Sequence, residues 1–297
     1  MYLLQQLANA VPVAALYAVL AFGYAIAFGV TKRVDLTYGA LFAFAGQIFV
    51  LFADIGWNRL WLVLPACIAL GAACSLAYTA GAGLLVGRFV MARLVRASPN
   101  TVIVASLGVS IVLMEAARLA SGTRSLWLPP FLNAPVTFWT EGAATVGLTV
   151  IQLGNTALML AMIGLGAAVL RFGRFGRLWR AVNDDPRAAE LCGVDASRVF
   201  LGSYVTATLV AAVSGLLSTS YYGNMDFGAG MMFGLKVVMI AGIGGAFHPL
   251  HAAAGAALLG LAETLWSAFA PMAWRDPFVF ALLVLIVITG RHERPVP

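Results

Sequence analysis

Long apolar stretches separated by short charged segments restrict what this chain can fold into. A helix needs roughly 20 consecutive apolar residues to cross the hydrocarbon core of a bilayer, and stretches of about that length recur from one end of the chain to the other. Only 10% of the 297 residues are charged, against about 25% in soluble domains. The chain therefore has too few charges to cover a water-facing surface, and we expect an all-α integral membrane protein. The predicted architecture is a polytopic bundle of about eight or nine transmembrane helices, forming a single domain over 1–297.

The apolar stretches predict nine spans, two of which have alternatives. The stretch 60–87 fits one long tilted helix or a helix plus an interfacial turn. The stretch 234–268 fits one span or two, and His248-Pro249 favours a break because proline interrupts the helical hydrogen-bond ladder. A count of eight spans depends on that second stretch. The predicted spans are 7–30, 36–53, 60–87, 99–119, 147–170, 199–219, 234–248, 250–268 and 277–290.

The distribution of basic residues between the spans predicts the orientation of the chain. Most arginines lie in 88–98, in 171–198 and in 291–297, and the positive-inside rule assigns such segments to the cytoplasm. The segment 120–146 is poor in basic residues and contains Trp127 and Trp139, so we expect it outside, with its aromatic rings at the interface. The net charge of +6 is thus explained by topology, and no nucleic-acid partner is expected.

A short internal similarity suggests an inverted repeat. Val34-Asp35-Leu36-Thr37-Tyr38-Gly39 and Met225-Asp226-Phe227-Gly228-Ala229-Gly230 each precede an apolar, glycine-containing span. The predicted topology places Asp35 at the inner face and Asp226 at the outer face, as in transporters built from inverted repeats. The alternative is that both segments are ordinary helix starts with an aspartate.

The cytoplasmic segment 171–198 contains the residues of a short surface helix. Asp185 suits the N-cap, Pro186 the first helical position and Gly193 the position after the C-cap. A helix so short is not stable alone, so neighbours or a partner protein must hold it. From these residues alone, an ordinary connecting loop is also open.

This segment resembles the cytoplasmic coupling loop of the permeases in bacterial branched-chain amino acid ABC importers. The family pattern R-A-x-x-x-[DN]-x-x-x-A-x-x-x-G-[IV] is followed from Arg180 to Val194. The first span, the segment 34–39 and the segment 234–263 resemble the family's other motifs in the same order, so the resemblance covers nearly the whole chain. Two departures are Asp35, where the family usually has Asn, and Ala246-Phe247-His248-Pro249, which replaces G-[ST]-[IL]-x-G.

The resemblance implies a permease subunit of an ATP-binding-cassette importer in the bacterial inner membrane. Such a subunit would move branched-chain or related amino acids by alternating access, driven by partner ATPases. The implied partners are the ATPase subunits, a second homologous permease and a periplasmic substrate-binding protein. No cofactor is expected on this chain, because the partner subunits use the ATP. A urea or short-amide permease of the same family and an ion-coupled secondary transporter or channel are the alternatives.

The same comparison assigns two groups of candidate site residues. The group expected to contact the ATPases is Asp184, Asp185, Pro186, Arg187, Ala189, Glu190, Leu191 and Gly193. The group that could line the translocation route is Asp35, Tyr38, Gly39, Gly244, Gly245 and Glu263.

The remaining polar residues of the spans have simpler interpretations. Glu115 and Arg118 are spaced to form a structural i,i+3 pair, and Lys236 is expected to be an interfacial or loop-bonding cation. Glu263 fits helix packing and a pathway role equally well. The sequence has no P-loop, no metal-ligand spacing and no catalytic cluster, so we do not expect an enzyme.

Overall fold

Apolar helices account for most of the structure, a computed structural model that describes residues 2–94, 97–141, 144–243 and 248–290. The helices are α1 (Tyr2–Thr31), α2 (Thr37–Asn58), α3 (Leu64–Leu85), α4 (Ala92–Leu94), α5 (Pro99–Ala120), α6 (Val150–Phe172), α7 (Arg174–Asp184), α8 (Pro186–Leu191), α9 (Ala196–Tyr222), α10 (Ala229–Ile243), α11 (Pro249–Phe269) and α12 (Arg275–Gly290). A π-helical turn (Val86–Met91) joins α3 to α4, and a 3₁₀ turn (Met272–Trp274) precedes α12. Two strands, β1 (Pro135–Glu141) and β2 (Ala144–Thr149), form an antiparallel hairpin.

Each predicted span corresponds to a helix of the bundle. Within the described residues, seven helical segments are long and apolar enough to cross a membrane, namely α1, α2, Leu64–Leu94, α5, α6, α9 and α11. The helices α10 and α12, of 15 and 16 residues, occupy the positions of the two other predicted spans. The sequence thus predicts the polytopic helical fold correctly.

Successive long helices run in opposite directions between two ends of the bundle. We call the end that carries the β1–β2 hairpin the hairpin end, and the end that carries α7 and α8 the basic end. Gln5 near the start of α1 bonds Gly147 in β2, whereas Lys32 just after α1 bonds the Asp184 carbonyl in α7. The positive-inside rule predicts that the basic end is cytoplasmic.

Helix α1 forms the centre of the bundle. In its most apolar stretch 89% of the residues are buried, against 17% in that of α6. The largest buried side chains of α1 are Tyr17, Phe22 and Tyr24. Helices α6, α9, α10 and α11 pack against α1, whereas most residues of the apolar stretches of α3, α5 and α6 are not buried. Exposed apolar surface on these peripheral helices suits contact with lipid.

Two predicted boundaries left open by the sequence have definite outcomes. The stretch that begins at residue 60 becomes one helical segment from Leu64 to Leu94, because Pro65 lies in its first turn and the π-helical turn continues the helix. The stretch 234–268 is two helices, with His248 at the N-cap and Pro249 at the first position of α11. Residues 244–247 lie outside the described residues.

The β-hairpin was not predicted, and it moves the start of the fifth predicted span. Helix α6 begins at Val150 rather than at residue 147, because 144–149 forms β2. Thr149 and Gln152 form a capping box that fixes this start: the Thr149 N–H donates to Gln152 Oε1 at 2.8 Å, and the Gln152 N–H donates to Thr149 Oγ1 at 3.4 Å.

Helices α2 and α10 cross where glycines allow close approach. A Cβ on Gly39 would lie 2.3 Å from the Gly230 carbonyl oxygen and 2.3 Å from Gly234 Cα. Further along α2, Gln47 Nε2 donates to the Asp226 carbonyl at 3.3 Å. The two similar segments found in the sequence therefore begin helices that run past each other in opposite directions.

Candidate functional site

Helix α8 presents an apolar side chain to solvent at the basic end. Asp185 Oδ1 accepts hydrogen bonds from the Arg187 and Ala188 N–H groups at 2.8 and 3.2 Å, as an N-cap does. Gly193 has φ +82°, the left-handed conformation that glycine adopts after a helix end. Ala189 is buried, whereas Leu191 is 90% exposed. The helix is thus held on one face and free on the other.

Helix α7 attaches this surface to the bundle core. Trp179 is buried, and its Nε1–H donates to the Ile26 carbonyl of α1 at 2.9 Å. Arg177 and Arg180 donate to the carbonyls of Phe172 and Leu170 at the end of α6. Helix α7 was not predicted from the sequence, although its pattern of arginines and the apolar residues Phe175, Leu178, Trp179 and Val182 is amphipathic. Because α9 begins at Ala196, shortly after α8, the basic end is connected directly to a helix that packs on α1 and α2.

A cavity of about 550 Å³ opens near the hairpin end. It is bordered by α1, α9, α10, α11 and α12. Trp127, in the loop between α5 and β1, also lines it. Its volume falls within the range of about 300–1,000 Å³ typical of small-molecule sites. The charged side chains on its wall are Asp226, Lys236, Glu263, Arg275 and Asp276.

A buried ion network forms one side of this cavity. The Lys236 ammonium lies 3.1 Å from Glu263 Oε1 and 3.0 Å from Asp276 Oδ1. The Tyr17 hydroxyl donates to Glu263 Oε2 at 2.8 Å, and Lys236 Nζ donates to the Tyr17 oxygen at 3.3 Å. Lys236 and Glu263 have side chains only 5% and 10% exposed. A buried ion pair needs such additional hydrogen bonds to offset its desolvation, so the network joins α1, α10, α11 and α12.

Arg275 completes the cluster with looser contacts. Its Nε lies 3.5 Å from Glu263 Oε1 and 3.6 Å from Asp276 Oδ1, yet among the described residues this buried Nε–H has no hydrogen-bond partner. The side chains of Arg275 and Asp276 are 33% and 39% exposed. Both therefore retain hydrogen-bonding capacity towards the cavity.

Asp35 lies inside the bundle at the start of α2. Its Oδ1 accepts the Thr37 N–H at 2.8 Å, and its Oδ2 accepts the Tyr204 hydroxyl of α9 at 2.9 Å. The Asp35 N–H donates to the hydroxyl of Tyr24, which lies two helical turns, about 11 Å, before the end of α1. Among the described residues, no cation pairs with Asp35, and the Tyr38 hydroxyl has no hydrogen-bond partner.

The structure divides the residues suggested for a translocation route into two places. Asp35, Tyr38 and Gly39 gather at the start of α2, while Glu263 belongs to the ion network near the hairpin end. Gly244 and Gly245 lie outside the described residues.

Two expectations about single charges have opposite outcomes. The expectation that Lys236 is an interfacial or loop-bonding cation is wrong, because its side chain is buried and paired with Glu263. The pair of Glu115 and Arg118 is confirmed, at 2.7 Å. Arg275 and Asp276 were not recognised from the sequence. The available signal was the presence of one lysine and one glutamate in otherwise apolar spans, each of which needs a partner.

Comparison with known proteins agrees with this architecture. The model of the family described as "Branched-chain amino acid transport system / permease component" matches residues 6–287. The chain belongs to this family. The resemblance found in the sequence is thereby confirmed. The family consists of permease components of transport systems rather than enzymes. Together with the seven long apolar helices, it makes the chain a multi-pass protein of the bacterial inner membrane.

Two relatives resemble the chain over nearly its full length, and a third resembles part of it. The high-affinity branched-chain amino acid transport system permease protein LivH of Escherichia coli (strain K12) is 30% identical over 99% of this chain and 97% of its own. BraD of Pseudomonas aeruginosa, a permease protein with the same description, is 27% identical over 98% and 96%. The fructose import permease protein FrcC of Rhizobium meliloti is 25% identical over 72% and 56%. No solved structure matches the chain.

Proposed function

We propose that this chain is the transmembrane permease subunit of an ATP-driven importer for branched-chain or related amino acids. The observation that carries the proposal is the similarity to branched-chain amino acid permeases, at 30% identity over 99% of the chain. Similarity to sugar permeases extends over smaller parts, 49% and 72% of the chain. The charged wall of the cavity also suits the α-ammonium and α-carboxylate of a zwitterionic amino acid better than a neutral sugar, because hydrogen bonds between charged groups are stronger than those to neutral ones.

Membership of the family implies ATPase and substrate-binding partners in general terms, and the structure suggests where the ATPases would bind. Leu191 is 90% exposed at the basic end, on a helix too short to be stable by itself. We propose that the ATPase subunits bind the surface formed by Asp184, Asp185, Pro186, Arg187, Ala189, Glu190, Leu191 and Gly193. In this scheme ATP is used by the partner subunits, and this chain binds no cofactor.

Alternating access would follow from the connection of α8 to α9. Movement of α8 by the ATPases would pass to α9 through the short segment 192–195. Helix α9 packs on α2 and on the central α1, and its Tyr204 hydroxyl donates to Asp35, just before α2, at 2.9 Å. Rigid helices that share such contacts move together, so a displacement at the basic end would change the packing around α1.

The other partners would bind elsewhere. A second homologous permease is expected to pair with this chain in the membrane. A periplasmic substrate-binding protein is expected at the hairpin end, where the aromatic side chains of Trp127, Phe138 and Trp139 are exposed as interface residues often are. Transport of urea or short amides is the alternative within the family, and ion-coupled transport without an ATPase is the alternative outside it.

The test combines uptake with assembly in a strain that lacks the native genes for this permease. The wild-type chain, expressed with its partners, should restore ATP-dependent uptake of labelled L-leucine. Leu191→Asp should abolish uptake and co-purification of the ATPase, because it places a charge in an apolar contact. Arg198→Ala is the matched control, since Arg198 is 88% exposed at the same end but outside α8. Undiminished ATPase binding by Leu191→Asp would contradict the docking proposal, and uptake of urea or amides in place of amino acids would contradict the proposed cargo.

A further inference from the structure

We infer that Arg275 and Asp276 form a binding site for the α-carboxylate and α-ammonium groups of a zwitterionic amino acid. This site lies within the cavity at the hairpin end. This inference rests on the proposed amino acid cargo and adds the site that recognises it. The two residues are adjacent at the start of α12, and both line the cavity of about 550 Å³.

The hydrogen bonds of the cluster separate structural from ligand-binding groups. Lys236 uses its ammonium on Tyr17, Glu263 and Asp276, at distances of 3.0 to 3.3 Å. An ammonium has three N–H donors, so Lys236 has none to spare for a ligand. It and Glu263 hold the helices together.

Arg275 is the opposite case. A guanidinium has five N–H donors, and its buried Nε–H has no hydrogen-bond partner among the described residues. The two carboxylates beside it lie at 3.5 and 3.6 Å, so it is attracted by charge but not satisfied by hydrogen bonds. A buried donor without a partner is unfavourable, and a ligand carboxylate would supply two acceptors in the geometry that arginine prefers.

Asp276 supplies the complementary acceptor. Its Oδ1 contacts Lys236 and Arg275, whereas its Oδ2 has no partner among the described residues. Because the carboxylate is 39% exposed, Oδ2 can accept a ligand ammonium. The α-carboxylate and α-ammonium of an amino acid are separated by one carbon atom, so they require a donor and an acceptor side by side. The contact between Arg275 and Asp276 meets this requirement.

The remainder of the cavity suits an aliphatic side chain. Its apolar lining includes Val13 and Leu16 of α1, Met232 and Phe233 of α10, and Met272 before α12. The aliphatic part of a branched-chain amino acid would bury apolar surface there, and methionine side chains adapt to ligands of slightly different shape. The site thus combines the charged pair of Arg275 and Asp276 with an adaptable apolar wall.

The experiment measures binding to the intact permease–ATPase complex in lipid nanodiscs, without the substrate-binding protein. Tritiated L-leucine is the probe, with L-leucinamide and 4-methylpentanoate as competitors that lack the carboxylate and the ammonium respectively. Wild type should prefer L-leucine over both competitors. Arg275→Gln should weaken L-leucine binding on the order of tenfold or more, as expected for loss of charged hydrogen bonds, and should remove its preference over L-leucinamide.

The second variant and the control separate recognition from folding. Asp276→Asn should remove the preference over 4-methylpentanoate while retaining that over L-leucinamide, a pattern that general destabilisation does not produce. Arg118→Gln, which changes an exposed arginine outside the cavity, should bind as wild type does. If Arg275→Gln unfolds, Arg275→Lys replaces it, because it keeps the charge and loses the paired donors. Unchanged L-leucine binding and selectivity in the Arg275 and Asp276 variants would overturn the site but leave the proposed function intact. A wild-type complex that neither binds nor transports any amino acid would overturn both.

Discussion

Replacing Lys236 with methionine tests how strongly the buried ion network stabilises the bundle. The substitution keeps a similar side-chain length but leaves Glu263 without the ammonium 3.1 Å away. Lys236 and Glu263 are 5% and 10% exposed, so water solvates the unpaired carboxylate only weakly. Breaking a buried ion pair by removing one member costs about 3–5 kcal/mol, and we expect the free energy of unfolding to fall by that amount.

The double-mutant cycle isolates the pair from other effects of the substitutions. Glu263→Gln alone should also be strongly destabilising, since it leaves the buried ammonium with only the part-exposed Asp276. The double variant Lys236→Met/Glu263→Gln removes both charges, and its cost should be smaller than the sum of the single costs by about 2 kcal/mol or more. Ordinary polar contacts between membrane helices average about 0.6 kcal/mol and reach about 1.7 kcal/mol, so a coupling of this size is specific to a buried ion pair.

Reversible unfolding of the purified chain in mixed micelles with increasing dodecyl sulfate measures these differences. The matched control is the pair of Glu115 and Arg118, whose side chains are 39% and 45% exposed. Solvent screens such a pair, so Arg118→Met should change stability by no more than about 0.5 kcal/mol. The reasoning is refuted if Lys236→Met costs less than about 1 kcal/mol, or if the two buried substitutions are additive.

Three further predictions concern the helix starts and the helix crossing. Gly39→Ala should destabilise the chain by about 1–3 kcal/mol, because its Cβ would lie 2.3 Å from backbone atoms of α10. Gly108→Ala, with nothing within 4 Å, should not destabilise the chain in the same dodecyl sulfate unfolding assay. Asp185→Ala should lower the free energy of unfolding by about 0.5–2 kcal/mol through loss of the N-cap, and it should reduce stimulation of the ATPase by substrate. Asp185→Asn should retain most of the stability and most of the stimulation. Equal losses in the two variants would argue against a capping role. Asp35→Leu should reduce uptake and stability far more than Asp35→Asn. Asparagine can still accept the hydrogen bond that the Thr37 N–H donates to Asp35 Oδ1 at 2.8 Å, whereas leucine cannot. Equal losses in the two variants would show that this hydrogen bond is unimportant.

The helical architecture was predictable because its cause is local. Each span must satisfy its own backbone hydrogen bonds in lipid, so a long apolar stretch is enough to identify it. The start of α8 was predictable for the same reason, since Asp185 and Pro186 act on neighbouring residues. The β-hairpin was missed because its two short strands lie in a proline-containing segment between predicted spans, and pairing between strands decides their structure.

The candidate site was less predictable because its residues are far apart in the sequence. Lys236, Glu263 and Tyr17 lie on three different helices, and nothing in the local sequence of any of them identifies its partners. Asp35 was recognised as unusual, but its contact with Tyr204 depends on the packing of α2 against α9. Sequence alone identifies charges that require partners, and tertiary packing determines which partners they find.

The most direct test of the central claim is transport by purified components. The permease, its partner permease and the ATPase subunits are reconstituted into liposomes that contain ATP on the side of the basic end, with the substrate-binding protein and labelled L-leucine on the other side. L-leucine should accumulate only when ATP is hydrolysed and the substrate-binding protein is present, and Leu191→Asp should abolish this accumulation. Accumulation driven by an ion gradient in the absence of the ATPase subunits would contradict the central claim.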